Sequence, residues 1–62
     1  MSFMGMFPSA RERRLAHDEA AEAIDRHGDK AAGYLWMKAR QTRSAERRAI
    51  YKLARKIVLA EA

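Results

Sequence analysis

The chain has 62 residues, thirteen of them Lys or Arg and eight Asp or Glu, for a formal net charge of +5, with no Cys, one Pro and three Gly. That length allows one domain at most, and a chain so short buries only ~60% of the surface its unfolded form exposes. Without Cys there is neither a disulfide nor a thiolate metal site, so burial must come from regular helix packing or from a second surface.

The apolar fraction of 48% divides unevenly, because thirteen of those residues are Ala and five of the larger ones fall in the first seven positions. Charge divides as well. Residues 1–29 carry four basic and six acidic groups, and residues 30–62 carry nine basic and two acidic. No apolar run approaches the ~18 residues of a membrane span. The N-terminal stretch lacks the basic flank of a secretory signal, so a cytoplasmic protein is expected. Nine Arg against four Lys, with so much Ala, point to a GC-rich genome.

Residues 1–8 form an apolar Met/Phe tail ahead of a single helical domain at 9–62. The tail, with Phe3 and Phe7, is expected to fold over Trp36 or the last helix and complete a small core. The alternatives are an anchor in a partner groove, or peripheral contact with a membrane surface backed by Arg11, Arg13 and Arg14.

The first helix is predicted from about residue 10 to 27. Ser9-Ala10-Arg11-Glu12 is a capping box, although a later start at Asp18 is also compatible with the charge density of 11–14. Gly28 follows as the residue able to take a positive φ at a helix end. The inward stripe is thin: Ala16, Ala20, Ala23 and Ile24, with His27 at its end. The outer face is acidic at Asp18, Glu22 and Asp25, and Glu22 can pair with Arg26 at i,i+4.

The second helix is predicted over about 30–42 with Asp29 as its N-cap. Gly33 inside it implies close approach of another helix. Ala31, Ala32, Leu35, Trp36 and Ala39 fill one arc, while Tyr34 and Met37 lie outside it. The middle of the helix is therefore apolar nearly all round, which calls for cover on several sides.

The third helix is predicted over about 45–60 with Ser44 as N-cap. Nothing between Gln41 and Ser44 is Gly or Pro, so one bent helix from 30 to 60 is an alternative. Ile50, Leu53, Ala54, Ile57 and Val58 share an arc of about 140°, Tyr51 flanks it, and Arg48, Lys52, Arg55 and Lys56 lie opposite. Leu59 falls on the charged side.

These elements make an all-α bundle of three short helices, with a core of Ile24, Leu35, Trp36, Ala39, Ile50, Leu53, Ala54 and Ile57, joined by Leu15. No strand alternation is present.

No residue set points to chemistry. His17 and His27 are roughly 15 Å apart along one helix and cannot share a metal. Asp18, Glu22 and Asp25 have the spacing of a solvated face, with no pocket to make them an acid/base pair. No phosphate loop, nucleophile elbow or zinc motif is present. A non-enzymatic protein without metal or cofactor is expected. Its leading function is a small interaction or oligomerisation module, with a regulatory use open to it, most simply a homodimer sharing the second or third helix, through Tyr34, Trp36, Met37, Phe3 and Phe7. The alternative is nucleic-acid binding by Arg48, Lys52, Arg55 and Lys56, since the basic run from Lys38 to Lys56 contains one acid, Glu46. An acidic protein partner fits the same run.

The segment Ala20-x-x-x-Ile24-x-x-His27-Gly28-x-x-Ala31, followed by helical residues to Lys56-Ile57-Val58-Leu59, resembles small all-helical proteobacterial proteins of unknown function. The likeness spans about residues 16–60. It implies the fold and carries no site residues.

Overall fold

Ser9 caps the first helix. Its hydroxyl accepts from the Glu12 amide, and the Glu12 carboxylate accepts from the Ser9 amide, both at 3.1 Å, so the predicted capping box is formed. The computed structural model describes residues 8–61. They are helical except at residues 8–9 and 42–44, and among them there is no strand. Helix α1 spans Ala10–His27, a 3-10 turn follows at Gly28–Lys30, α2 spans Ala31–Gln41 and α3 spans Ala45–Glu61. The first two expected helices are thus one helical stretch from Ala10 to Gln41, jointed at Gly28. The interruption lies at 42–44, where Thr42 is extended at φ −74°, ψ 143°. The single bent helix from 30 to 60 is therefore not what forms.

Both joints have local causes. Gly28 takes φ 58°, ψ −125°. The positive φ is as predicted, but this ψ belongs to the first central position of a type II′ turn rather than to a left-handed helical cap. Asp29 lies inside the 3-10 turn and makes no capping hydrogen bond, so its predicted N-cap role is not realised; Lys30 occupies the cap position without a side-chain bond. At the second joint the Ser44 hydroxyl accepts from the Arg47 amide at 3.2 Å, as a Ser N-cap should. The Thr42 hydroxyl accepts from the Ser44 amide at 3.2 Å and holds the turn.

The core consists of Ala16, Ala20 and Ala23 from α1, Ala31, Leu35 and Ala39 from α2, and Ile50, Tyr51, Ala54 and Val58 from α3. Leu15, Leu53 and Ile57 pack against it half-buried. Six of the ten buried residues are Ala, so the helices approach closely and little apolar area is needed per contact. Among the described residues Leu35 is the one large side chain buried completely.

Two expected core members are corrected. Ile24 is 38% exposed and Trp36 46%. Tyr51, expected on the flank, is buried. The buried arc of α3 is centred between Ile50 and Tyr51, turned by roughly 45° from the expected one at about 100° per residue. The reason is tertiary: α3 packs against both α1 and α2, and the side toward Tyr51 is needed for the second contact.

Gly33 is also corrected. A Cβ built there meets nothing within 4 Å, so no neighbouring helix requires the glycine. Gly33→Ala should therefore stabilise the fold by about 0.5–1 kcal/mol, read as a rise in Tm of roughly 2–8 °C by circular dichroism. A lower Tm would show that the position is crowded after all.

The expected packing of the Met/Phe tail, including Phe3 and Phe7, lies outside the described residues.

Candidate functional site

Helix α2 has two opposite stripes. Ala31, Leu35 and Ala39 repeat at i, i+4 and i+8 and face inward. Gly33, Trp36, Met37 and Arg40 repeat at i, i+3, i+4 and i+7, and all four are exposed. Trp36 and Met37 each keep 46% of their surface in solvent. Side chains on a helix lean toward its N-terminus, so Trp36 and Met37 lean toward the turn where Gly33 leaves open space.

The outward stripe meets the basic side of α3. Two shallow hollows adjoin there, sharing Trp36 and Arg40. One is completed by Ala39, Arg48 and Lys52, the other by Met37 and Gln41, and neither is lined by a carboxylate. The Arg55 guanidinium carbon lies 5.3 Å from the centre of the Trp36 ring, a cation–π distance. The structure thus brings together residues that the sequence placed in separate sets: Trp36 and Met37 from one, Arg48, Lys52 and Arg55 from the other. Arg40 belongs with them. Its signal was the i+4 and i+3 spacing from Trp36 and Met37.

Arg48 has a second task. Its Nε donates to the Ala39 carbonyl at 3.3 Å and an Nη donates to the Thr42 carbonyl at 3.0 Å. These are orphan acceptors at the C-terminal end of α2, where a cation is favoured by the helix dipole. Arg48 therefore ties α3 to the end of α2. Arg48→Met should cost about 1–2 kcal/mol, since the helix end loses two charge-assisted hydrogen bonds. A solvated arginine would change stability by less than about 0.5 kcal/mol, so a urea melt distinguishes the two.

The remaining expected site residues lie elsewhere. Tyr34 is half-buried and stacks on His27, with ring centres 4.1 Å apart and planes inclined by 26°. That contact fastens α1 to α2 across the Gly28 joint and occupies the residue. Lys56 is exposed but lines neither hollow. Phe3 and Phe7 lie outside the described residues.

The other polar groups are dispersed. Asp18, Glu22 and Asp25 are exposed on α1, and Glu22 pairs with Arg26 at 3.6 Å as the spacing predicted. Arg11 pairs with Glu46, linking the first turns of α1 and α3; both side chains are well exposed, so the pair adds little stability. Among the described residues no three His, Asp or Glu side chains gather as a metal would require, and no helix is long and apolar enough to cross a membrane.

No family model matches this chain, and neither does any curated protein or solved structure, so the likeness to small proteobacterial helical proteins gains no support and the face is read from its own geometry.

Proposed function

We propose that the chain is a non-enzymatic interaction module whose working surface is the outward stripe of α2 together with the basic edge of α3. The observation that carries this is the exposure of Trp36 and Met37 side by side, in hollows walled by cations. Large aromatic and Met side chains next to Arg are the composition of binding anchors. The reading treats α1, α2 and α3 as three working helices of one bundle. In it α1 and the Ala-lined core serve as the platform that presents α2 rigidly.

The experiment uses the tagged full chain recovered from its native cells. Trp36→Ala with Met37→Ala should leave helix content unchanged, because both side chains are outside the core. The same double variant should lose every partner that the parent retains. If the partners are retained, the surface is not the working one.

Self-association is the second reading, favoured by the exposed acidic stripe Asp18, Glu22 and Asp25 on α1 and the basic edge of α3. It requires sedimentation at a multiple of 7.1 kDa and a shift to the monomer when Glu22 and Asp25 are replaced by Lys. A monomer at all concentrations removes it.

A further inference from the structure

Gly33, Trp36 and the cations present a combination that core packing does not explain. Trp36 is left half in solvent although it is the largest apolar side chain available to a small core. Gly33 weakens α2 without making room for any neighbour in the fold. Arg40, Lys52 and Arg55 stand around the same ring, and no carboxylate lines the hollows to neutralise them. A flat, half-exposed ring among unopposed cations fits a partner that is both planar and anionic.

Three occupants are distinguishable by chemistry. A second copy joined through a two-fold axis either sets this face against itself, where the cations meet their counterparts, or lays the acidic stripe of α1 over it, which brings the carboxylates of Asp18, Glu22 and Asp25 but no planar group for the indole. An acidic protein surface answers the cations but offers the indole nothing planar to stack on. A nucleic-acid strand supplies phosphates and aromatic bases together, and an exposed aromatic beside Arg and Lys is how single strands are held. A duplex keeps its base faces stacked on one another and out of reach of the ring. The exposed positions of α3 between Ala45 and Lys56 are Ala, Glu, Arg and Lys, a set that can meet phosphate or guanine but offers no Asn or Gln to read adenine in a duplex groove.

We propose that this face binds single-stranded nucleic acid, one base stacking on the Trp36 face opposite Arg55 while Arg40, Lys52 and the guanidinium N–H edges of Arg55 hold the flanking phosphates. The proposal rests on the reading of Trp36 and Met37 as the working surface and names the partner that surface takes. The open turn at Gly33 lets the stacked base lie close to the helix backbone. Arg48 lines the same hollow but is committed to the carbonyls of Ala39 and Thr42, so it contributes field rather than a free phosphate contact. Stacking on the indole and contacts to phosphate carry little base identity, so binding tolerates most sequences.

The test uses the full chain, with its single Trp excited selectively over its two Tyr. An oligo(dT) strand should quench Trp36 saturably at low salt. Three phosphate contacts give a slope of log affinity against log salt of about −2, and Lys52→Ala should reduce its magnitude by roughly 0.7. With the label moved to the strand and read by anisotropy, Trp36→Ala should weaken binding about five- to hundredfold, and Trp36→Phe should restore most of it. A duplex of equal length should bind more weakly than the strand. The proposal is overturned if oligo(dT) leaves Trp36 unchanged at low salt, if the strand binds but Trp36→Ala binds equally, or if the duplex is preferred. Polyglutamate and a concentration series without ligand separate the two layers. If either changes Trp36 emission while oligo(dT) does not, the face is a working surface for an acidic protein or a second copy, and the nucleic-acid proposal alone fails. If none of the three reaches Trp36, both readings fail.

Discussion

Leu35→Ala is expected to lower the melting temperature by ~10 °C or more. Leu35 is completely buried at the centre of α2, between Ala31 and Ala39, and no other large side chain among the described residues is so fully enclosed. Truncating a buried Leu costs about 2–5 kcal/mol, the upper values applying where the surroundings cannot collapse into the space. Collapse is hindered here because the facing side chains are mostly Ala, with few rotamers to offer. A domain of 62 residues has a total stability of roughly 3–9 kcal/mol, so this one change removes a large share of it. The measurement is a thermal melt by circular dichroism. Leu35→Met is the comparison; a near volume-conserving swap should cost less than about 1.5 kcal/mol. A Leu35→Ala variant that melts like the parent would mean that Leu35 is not at the centre of the core.

The second large effect is overpacking. Ala54 is completely buried on α3, where close approach of the helices depends on a side chain no larger than a methyl group. Ala54→Leu should destabilise by about 1–3 kcal/mol, since added carbons in a filled core force strained rotamers or a backbone shift. Ala49 on the same helix is exposed, so Ala49→Leu should change stability by less than about 0.5 kcal/mol. The pair separates packing from helix propensity, which favours Ala and Leu almost equally. Equal melts for the two variants would contradict an Ala-mediated contact.

Much of the local structure was legible because it depends on neighbours in the chain. Ser9 with Glu12, Ser44 with Arg47, and Glu22 with Arg26 are all separated by three or four residues, and each forms the bond that spacing predicts. The positive φ of Gly28 has the same character. The errors lie where a residue's role is set by another helix. Trp36 lies about 100° round from Leu35, and the apolar run 34–37 fits an arc centred on either side of it. Only the positions of α1 and α3 determine that Ala31, Leu35 and Ala39 point inward and Trp36 outward. The same holds for α3, where the need to touch two helices carries Tyr51 into the core.

Charge patterning treats cations as solvated and so places Arg48 on a basic face. Its partners are carbonyls at the end of α2, and no periodicity within α3 reveals them. A faint signal was available: a cation in the first turn of a helix opposes the dipole of its own helix, which is reason to look for a neighbouring helix end. Asp29 fails in the opposite sense. It is a good N-cap residue next to a glycine, but the type II′ geometry at Gly28 turns the chain directly into a 3-10 turn and leaves its side chain without the bond.

The candidate face was half legible. Its aromatic, Met and basic residues are visible in the sequence, Arg40 only as part of the run from Lys38 to Lys56, but as two separate sets, because the contact between α2 and α3 that joins them is not a property of either helix. An acrylamide quenching series on Trp36 in the purified chain tests the central claim, that this ring faces outward and is free to receive a partner. The expected result is quenching well above that of a buried indole and below that of a free one, in keeping with 46% exposure, unchanged as protein concentration is raised. A strongly protected Trp36, in the dilute chain or on concentration, would contradict it.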